Sequence, residues 1–386
     1  MPRKAAPAPK TSVKSAKFKP IYALGLMSGT SKDGVDVVRL TTDGANIIQA
    51  VEHFAHPYPR GLYARLKEVA TADIPLADVL QLERDVTEEY IAAIQASGLL
   101  DGRVQVVGCH GQTIRHLPHQ GLTWQLGDPN FLAEKLQQLA GRPVPVVMDF
   151  RRRDLAAGGE GAPLVPLFHQ AMLAGQGAKQ FPCALLNIGG VANVTYLPSL
   201  QPEDVRASDC GPGMGLLDQW VQHRTGAAYD AEGALAKAGK VNHKILHRAL
   251  DELPFFQRPI PRSADRYEFN AVLEWLAKAN TEDGAATLAA LTVAGIDQSL
   301  HGFGATPKGL KALYLAGGGP RNTAVREGLQ QAGWRVAPVE NLGWQPLAVE
   351  AACFAWLAVR RLRGLPFSMP ATTGCRYPTV GGVLTA

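Results

Sequence analysis

The same local pattern occurs twice in the sequence, and this repetition constrains the fold more than any other feature. Residues 21–42 read IYALGLMSGTSKDGVDVVRLTT, which predicts two strands joined by a turn rich in Gly, Ser, Thr and Asp. Residues 183–198 read CALLNIGGVANVTYLP and predict a second hairpin with glycines at its tip. A chain that begins the same construction twice is expected to form two similar lobes that face each other across a cleft.

Helices and strands alternate along the rest of the chain. Apolar residues recur with helical spacing in residues 62–71 and 76–97, near residues 285–300 and in the closing segment LAVEAACFAWLAVRRLRG. The runs VQVVGCHGQT and PVPVVMDF are typical of buried strands. This alternation predicts the α/β class. We expect an N-terminal lobe over residues 21–160 and a C-terminal lobe, with a substrate-side insertion, over residues 161–386.

The charge distribution separates a short leader from the rest of the chain. The net charge of the 386 residues is +5, but residues 1–20 alone hold six Lys or Arg residues and no acid. The remainder has no positive excess, so no nucleic acid partner is predicted. No stretch of about 18 apolar residues occurs, so no membrane partner is predicted either. We interpret residues 1–20 as a basic disordered leader, with a sorting or anchoring role as the alternative.

The cysteines and histidines do not form a recognisable metal or disulfide pattern. The five cysteines are far apart and include no C-x-x-C pair, which argues against a disulfide framework or a zinc cage and favours a cytoplasmic location. His110, His116 and His119 lie close together in sequence, but their spacing matches no zinc motif and Pro118 interrupts any helix that would align them. We therefore predict no metal ion held by these side chains.

Three loops, each directly after an apolar strand, have the composition of phosphate-binding turns. They are residues 28–34, 187–190 and 317–319. Small residues let the backbone N–H groups approach a phosphate closely. The first loop adds Lys32 for direct pairing and Asp33, whose carboxylate could hold a water of a bound Mg2+. Each loop alone also fits an ordinary turn, but the three together favour a nucleotide clamped between two lobes.

Two further segments carry candidate chemical groups. Asp209 precedes a Gly-Pro-Gly turn, so its carboxylate is either a general base facing open space or the N-cap of the following helix. Arg151, Arg152 and Arg153 follow the predicted strand PVPVVMDF instead of lying on a helix face. They are either a contact for a substrate carboxylate or a solvated basic surface.

Seven motifs together resemble one enzyme family. In chain order they are GLMSGTSKDGVDVV, GCHGQTIRH, QLGDPNFLAE, DFRRRDLAAGGEGAPLVPLFH, LNIGGVANV, DCGPGMGLLDQW and AGGGPRN. Their order and residues resemble the 1,6-anhydro-N-acetylmuramic acid kinase family over residues 21–386. The family belongs to the superfamily of actin, sugar kinases and heat-shock ATPases. The resemblance therefore implies two ribonuclease-H-like (actin-like ATPase) lobes around a nucleotide cleft.

The same resemblance implies an activity. Members of the family hydrolyse the internal ring of 1,6-anhydro-N-acetylmuramic acid and phosphorylate the freed O6 with ATP. The products are ADP and N-acetylmuramic acid 6-phosphate, formed during peptidoglycan recycling. The implied cofactors are ATP and Mg2+, the ion being held mainly through phosphates and water, and a homodimer is compatible with the family.

The resemblance also implies roles for individual residues. Asp209 corresponds to the base that takes a proton from the attacking water. Arg153 and Glu350 fall on positions associated with the sugar, and His110 and Gln112 line up with the motif near it. The implied ATP-binding positions are Gly29, Thr30, Ser31, Lys32, Asp33, Gly34, Val35, Asp36, Asn187, Gly189, Gly190, Gly317, Gly318 and Gly319.

The sequence departs from the family pattern at three positions. Lys32 stands where the family commonly has Leu, Glu160 where it has Gln, and Met214 where many members have Asn. Two other functions remain open at this point: a kinase of the same superfamily for another sugar, and a non-catalytic, nucleotide-dependent sensor of muropeptide fragments. A sensor would tolerate loss of the base, whereas Asp209 is present in this chain.

Overall fold

The computed structural model describes residues 18–29, 34–69, 74–265 and 267–385. The strands are β1 (Ile21–Ser28), β2 (Gly34–Thr42), β3 (Ile48–Pro57), β4 (Val104–Leu117), β5 (Leu122–Leu126), β6 (Val146–Met148), β7 (Cys183–Ile188), β8 (Val191–Leu197), β9 (Arg206–Pro212), β10 (Leu313–Ala316), β11 (Val336–Pro338) and β12 (Val383–Thr385). The helices are α1 (Arg60–Glu68), α2 (Leu76–Ser97), α3 (Pro129–Ala140), α4 (Phe150–Ala156), α5 (Pro166–Ala174), α6 (Gly215–Thr225), α7 (Ala234–Ala238), α8 (His243–Glu252), α9 (Pro254–Gln257), α10 (Ala271–Trp275), α11 (Thr281–Gly302), α12 (Thr323–Gln331), α13 (Val349–Arg363) and α14 (Pro370–Thr373).

The strands form two sheets with the same internal order. The first sheet runs β12-β6-β4-β1-β2-β3, with β5 paired to β4, and the second runs β11-β10-β7-β8-β9. In each sheet three antiparallel strands that follow one another in sequence lie beside two parallel strands. Both predicted hairpins are present, as β1–β2 and β7–β8. The prediction of an α/β protein with two similar lobes is therefore confirmed.

Helix α13 lies against the first sheet at unusually close range. A Cβ atom on Gly25 of β1 would lie 1.8 Å from the carbonyl oxygen of Ala351, and one on Gly108 of β4 would lie 1.9 Å from that of Phe354. Only glycine at these two positions lets the helix backbone approach the strands so closely. This contact fixes the first turn of α13, which carries Glu350, against the two strands β1 and β4 of the first sheet.

The second lobe uses a similar contact to fix its outer strand. A Cβ atom on Gly295 of α11 would lie 2.4 Å from the carbonyl oxygen of Cys210, which belongs to β9. The buried side chains of α11 also join the core of this lobe. Helix α11 therefore packs directly against β9, the strand that carries Asp209.

The end of the chain returns to the first lobe, because β12 pairs with β6 and α13 packs on β1 and β4. The division at residue 160 stays a prediction, as does the leader, of which residues 1–17 lie outside the described part.

The expectation that the three arginines avoid a helix is wrong, since they lie on α4. Asp149, with a φ of +62°, follows β6 and is the N-cap residue of that helix.

None of the helices in the described ranges is long and apolar enough to cross a lipid bilayer. The longest of them, α2 and α11, have 22 residues each. The buried face of α2 packs in the first lobe and that of α11 in the second. These helices therefore belong to the cores of the two lobes.

Candidate active site between the two lobes

A row of paired residues, three of them polar, crosses four strands of the second sheet. Ala316 of β10 pairs with Asn187 of β7, Asn187 with Asn193 of β8, and Asn193 with Asp209 of β9. Neighbours across strands have Cβ atoms only about 4.5–5.5 Å apart, so this register places the predicted base close to the predicted nucleotide loop. Asn193 was not predicted from the sequence, because its importance follows only from this register.

The first sheet presents a matching row on the other side of the cleft. Met27 pairs with Asp36, and Ser28 with Gln112. Between the two rows lies a cavity of about 220 Å³. Its lining comes from both lobes and includes Gly29, Gly34, Asp36, Asn187, Gly317 and Glu350. The structure therefore brings parts of all three predicted phosphate loops to one cleft.

The first hairpin tip is described only in part. Thr30, Ser31, Lys32 and Asp33 lie outside the described residues, so the roles predicted for them stay predictions. Gly29 accepts a hydrogen bond on its carbonyl oxygen from Gln112 Nε2 at 3.0 Å.

The other three predicted residues of this hairpin differ in what they offer a ligand. Gly34 packs against the carbonyl oxygen of His56, and the side chain of Val35 is buried in the first lobe. Asp36 Oδ1 lies 2.7 Å from His53 Nε2. Val35 therefore has only its backbone available, whereas Asp36 is one of the residues that line the cavity.

The second hairpin tip is held by the turn that follows β9. The carbonyl oxygen of Gly189 accepts from the N–H of Met214 at 2.7 Å, and that of Gly190 from the N–H of Gly213 at 3.0 Å. A Cβ atom on Gly190 would meet open space. Met214, one of the three departures from the family pattern, contributes to this contact through its backbone.

The third loop combines packed and open glycines. Gly317 has a φ of +83°, and a Cβ atom there would lie 2.4 Å from Asn187 Oδ1. A Cβ atom on Gly319 would lie 2.3 Å from the Ile188 side chain, whereas one on Gly318 would meet no atom within 4 Å. Gly317 and Gly319 are therefore required for packing, and Gly318 is the position at which the loop leaves space for a ligand.

Asp209 is a buried carboxylate with both of its described hydrogen bonds on one oxygen. Oδ2 accepts from the N–H of Ala264 at 2.8 Å and from Ser263 Oγ at 3.3 Å. Burial raises the pKa of Asp209 to about 6, although these donors and the nearby Arg151 and Arg258 oppose that shift. Asp209 is therefore ionised near neutral pH and can accept a proton.

The alternative role of Asp209 as a helix cap is wrong. The next helix, α6, begins at Gly215, and its N-cap residue is Met214, which makes no side-chain cap hydrogen bond. Asp209 lies within β9, six residues before the helix starts. Its carboxylate instead accepts hydrogen bonds from the loop at Ser263 and Ala264.

Arg151 is a buried cation near Asp209 and Glu350. Its Nε donates to His110 Nε2 at 3.0 Å and its Nη1 to the carbonyl oxygen of Gly161 at 2.7 Å. Since His110 Nε2 accepts, the His110 ring is neutral with its proton on Nδ1. Burial and the Arg151 charge hold the pKa of His110 well below its usual value.

Arg151 also acts on the carboxylates around it. Burial raises the pKa of Glu350, and the positive charge of Arg151 opposes that shift, as it does at Asp209. Glu350 Oε1 accepts from Asn187 Nδ2 at 3.4 Å, which joins α13 of the first lobe to β7 of the second. One guanidinium thus balances two buried acids that belong to different lobes.

Arg153 occupies a different environment from Arg151. Its Nε donates to the carbonyl oxygen of Val380 at 3.2 Å, and its side chain packs beside Gly381. Positions 151 and 153 point in nearly opposite directions from a helix axis, because two residues span about 200°. The sequence run names all three arginines as candidate substrate contacts but gives no signal that distinguishes Arg151 from Arg153.

The remaining predicted residues lie around the same centre. Gln112 is fully buried, and among the described contacts its Oε1 has no hydrogen-bond partner. The backbone N–H of Glu160 donates to the carbonyl oxygen of Thr373. Burial raises the pKa of the Glu160 carboxyl, and the nearby His119 and Arg258 oppose that shift. The extra charge of this departure from the family pattern therefore faces basic groups.

Comparison with known proteins identifies one family. The sequence model of a family described as anhydro-N-acetylmuramic acid kinase matches residues 21–386. A protein of that name from Gluconobacter oxydans (strain 621H) is 44% identical over 375 residues, which cover 94% of this chain and 99% of the relative. Another, from Acidiphilium cryptum (strain JF-5), is 43% identical over 368 residues, which cover 94% and 97%.

Solved structures align over most of the chain at low scores. Component A of (R)-2-hydroxyglutaryl-CoA dehydratase from Acidaminococcus fermentans aligns with a TM-score of 0.42 at 13% identity, over 89% of this chain and 99% of that chain. A ROK family glucokinase from Streptomyces griseus, in complex with glucose and AMPPNP, aligns with a TM-score of 0.36 at 14% identity, over 87% and 99%. Similarity at this level is too weak to assign a function.

Proposed function

Because the chain belongs to the anhydro-N-acetylmuramic acid kinase family, we propose that it opens the 1,6-anhydro ring of 1,6-anhydro-N-acetylmuramic acid with water and phosphorylates O6 with ATP. The products are N-acetylmuramic acid 6-phosphate and ADP, and the reaction serves recycling of the bacterial cell wall. The observation that supports this proposal most is the buried Asp209 carboxylate, which lies in one cross-strand row with Asn187 at the cleft.

Asp209 acts as the general base for ring opening. Its carboxylate takes one proton from a water molecule as the water oxygen bonds to the anomeric carbon. The bond from that carbon to O6 breaks at the same time, and O6 leaves with the electron pair. The negatively charged O6 then attacks the γ-phosphorus of ATP, the bond from that phosphorus to the β,γ-bridging oxygen breaks, and ADP leaves with the electron pair, so no second base for O6 is required.

The two substrates occupy different parts of the cleft. ATP phosphates lie against the glycine loops at residues 187–190 and 317–319 and against the first hairpin tip, whose backbone N–H groups suit anions. The sugar lies beside Asp209, with His110, Gln112, Glu350 and an arginine of α4 around it. Arg151 is positioned to pair with the lactyl carboxylate, because its guanidinium lies among these groups.

Mg2+ fits the carboxylates that line the cavity, namely Asp36 and Glu350. Held mainly through phosphates and water, the ion would neutralise charge on the transferring phosphoryl group. A cytoplasmic location and a homodimer remain predictions. A kinase for another sugar, or a nucleotide-dependent sensor of muropeptide fragments, would share the cleft but would not open an anhydro ring.

A coupled assay of ADP release tests the proposed function. We expect turnover with 1,6-anhydro-N-acetylmuramic acid and ATP, and little with glucose, N-acetylglucosamine or N-acetylmuramic acid, which have no anhydro ring. Mass spectrometry should show a product that has gained both water and a phosphoryl group. Turnover of an unmodified sugar alone would establish the other-sugar kinase instead, and nucleotide binding without turnover of any sugar would establish the sensor.

Gly318→Val is expected to weaken ATP binding and to spare the fold. The added side chain would occupy open space in the protein, and that space is the proposed nucleotide position. Isothermal titration calorimetry with a non-hydrolysable ATP analogue measures the change in affinity. Gly319→Val is the matched control, because its side chain would collide with Ile188 and should lower the melting temperature. Unchanged ATP affinity in Gly318→Val would remove this loop from the nucleotide site.

A further inference from the structure

A chain of hydrogen bonds connects the first lobe to the proposed base in the second. Gln125 Nε2 lies 2.8 Å from Thr123 Oγ1, which lies 3.0 Å from His116 Nδ1. His116 Nε2 lies 3.2 Å from Ser263 Oγ, which lies 3.3 Å from Asp209 Oδ2. The first three residues belong to the β4–β5 hairpin, and the last two belong to the second lobe.

The donors in this chain can all point toward the carboxylate. With the His116 proton on Nε2, Gln125 donates to Thr123, and the Thr123 hydroxyl donates to His116 Nδ1 at 3.0 Å in preference to the carbonyl oxygen of Arg115 at 3.3 Å. His116 Nε2–H then donates to Ser263, and the Ser263 hydroxyl donates to Asp209. Donors aligned in one direction polarise one another and strengthen the final bond to an ionised acceptor.

This alignment requires a neutral His116 ring. Burial and the nearby positive charge of Arg151 lower the pKa of His116 to about 3, so the ring is neutral at any pH at which the enzyme would work. A neutral imidazole accepts on one nitrogen and donates from the other, as the alignment demands.

The described hydrogen bonds of the Asp209 carboxylate all go to one of its two oxygens. Ser263 and the N–H of Ala264 both donate to Oδ2 of Asp209. Oδ2 is therefore held in place, and Oδ1 is left to meet the attacking water.

We propose that Ser263 and His116 are positioning residues for the base, which orient Asp209 and keep it ionised through the hydrogen-bond chain from the β4–β5 hairpin. The proposal rests on the role of Asp209 in the proposed function. Because the chain of hydrogen bonds crosses from one lobe to the other, the contribution of His116 to the orientation of the base is present only while the hairpin and the loop at Ser263 are in contact.

Other charged groups near Asp209 also affect its pKa. Arg151 of α4 and Arg258 after α9 lower its pKa, and its charge in turn acts on Arg262 and Cys210. These groups stay in place when Ser263 or His116 is replaced. A change in the pH dependence of a Ser263 or His116 variant therefore reports the loss of the hydrogen-bond chain.

The test compares Ser263→Ala, Ser263→Thr and His116→Phe with the wild-type enzyme over the pH range 5–9. The wild type should lose kcat/KM as the pH falls through about 6, because Asp209 must be ionised to accept a proton. Loss of the Ser263 hydroxyl removes a donor to the ionised form and raises the pKa of Asp209. We therefore expect Ser263→Ala to move the acid limb to higher pH and to lower kcat about tenfold or more, with little change in KM for ATP.

The conservative variants separate positioning from folding. Ser263→Thr keeps a hydroxyl and should restore both kcat and the acid limb, whereas His116→Phe keeps an aromatic ring and should shift the limb in the same direction as Ser263→Ala. Equal pH profiles in Ser263→Ala and wild type, or equal impairment of Ser263→Ala and Ser263→Thr, would overturn the proposal. If Ser263→Ala does not fold, His116→Phe supplies the same comparison.

A measurement that needs no turnover tests the hydrogen-bond chain separately from the proposed function. Carbon-13 NMR of labelled aspartate side chains, with Asp209→Asn used to assign the resonance, follows the titration of Asp209 directly. A higher pKa in Ser263→Ala supports the hydrogen-bond chain even if another sugar proves to be the substrate. An unchanged pKa would refute the chain even if the anhydro sugar is turned over.

Discussion

Asp209→Asn is expected to lower the rate of sugar phosphorylation by about 10²–10⁴-fold, while ATP and the sugar still bind. Asparagine has nearly the same shape as aspartate but cannot accept the proton of the attacking water. Since O6 becomes a nucleophile only when the ring opens, ring opening and phosphoryl transfer should be lost together. Coupled ADP release and chromatographic detection of the opened sugar measure the two events separately.

Asp230→Asn is the matched control for this experiment. Asp230 is also a buried aspartate of the second lobe, and its carboxylate accepts hydrogen bonds from the N–H groups of Leu235 and Ala236. Its replacement should affect the melting temperature more than kcat. Near wild-type turnover of Asp209→Asn, or an opened sugar without phosphate ester, would show that the role assigned to Asp209 is wrong.

The sequence predicts the two-lobed fold well because local signals and long-range pairing agree. Both hairpins combine apolar alternation with glycine-rich tips, so their existence follows from residues that are close in sequence. The repetition of the pattern then implies two lobes. By contrast, the return of β12 to the first sheet has no local signal, because a three-residue strand is defined by its partner, β6.

The active site is less predictable than the fold, because the positions of its side chains depend on the register of paired strands and on which face of a helix each residue occupies. Asp209 was found from the turn that follows it, but the row that joins it to Asn193 and Asn187 follows from strand register. The contact between His116 and Ser263 joins residues 147 positions apart, and no sequence pattern marks either as a partner of the other. Such contacts follow from the packing of one lobe against the other.

The three arginines of α4 show how helix phase decides a functional assignment. The motif DFRRRD offers three arginines and the family resemblance implies Arg153 as the sugar contact, whereas Arg151 is the arginine that donates to His110. The hydrogen bond described for Arg153 goes to the carbonyl oxygen of Val380. Which arginine recognises the substrate is therefore an experimental question with two distinct expected outcomes.

Arg151→Met is expected to lower kcat/KM by about 10²–10³-fold, whereas Arg153→Met should change it by less than about threefold. Removing Arg151 takes away a positive charge that lowers the pKa of both Asp209 and Glu350, and leaves Arg258 as a second cation near Asp209. Both pKa values should therefore rise, and the acid limb of the kcat/KM profile should move to higher pH. Steady-state kinetics across the pH range measures both effects.

Arg151→Lys separates the charge of this residue from its shape. Lysine keeps the positive charge near Asp209 and Glu350, so the acid limb should return toward its wild-type position. It cannot reproduce the planar guanidinium that donates both to His110 Nε2 and to the carbonyl oxygen of Gly161, so kcat/KM should recover only in part. A large loss in Arg153→Met with little change in Arg151→Met would instead assign the sugar contact to Arg153, as the sequence motif indicates.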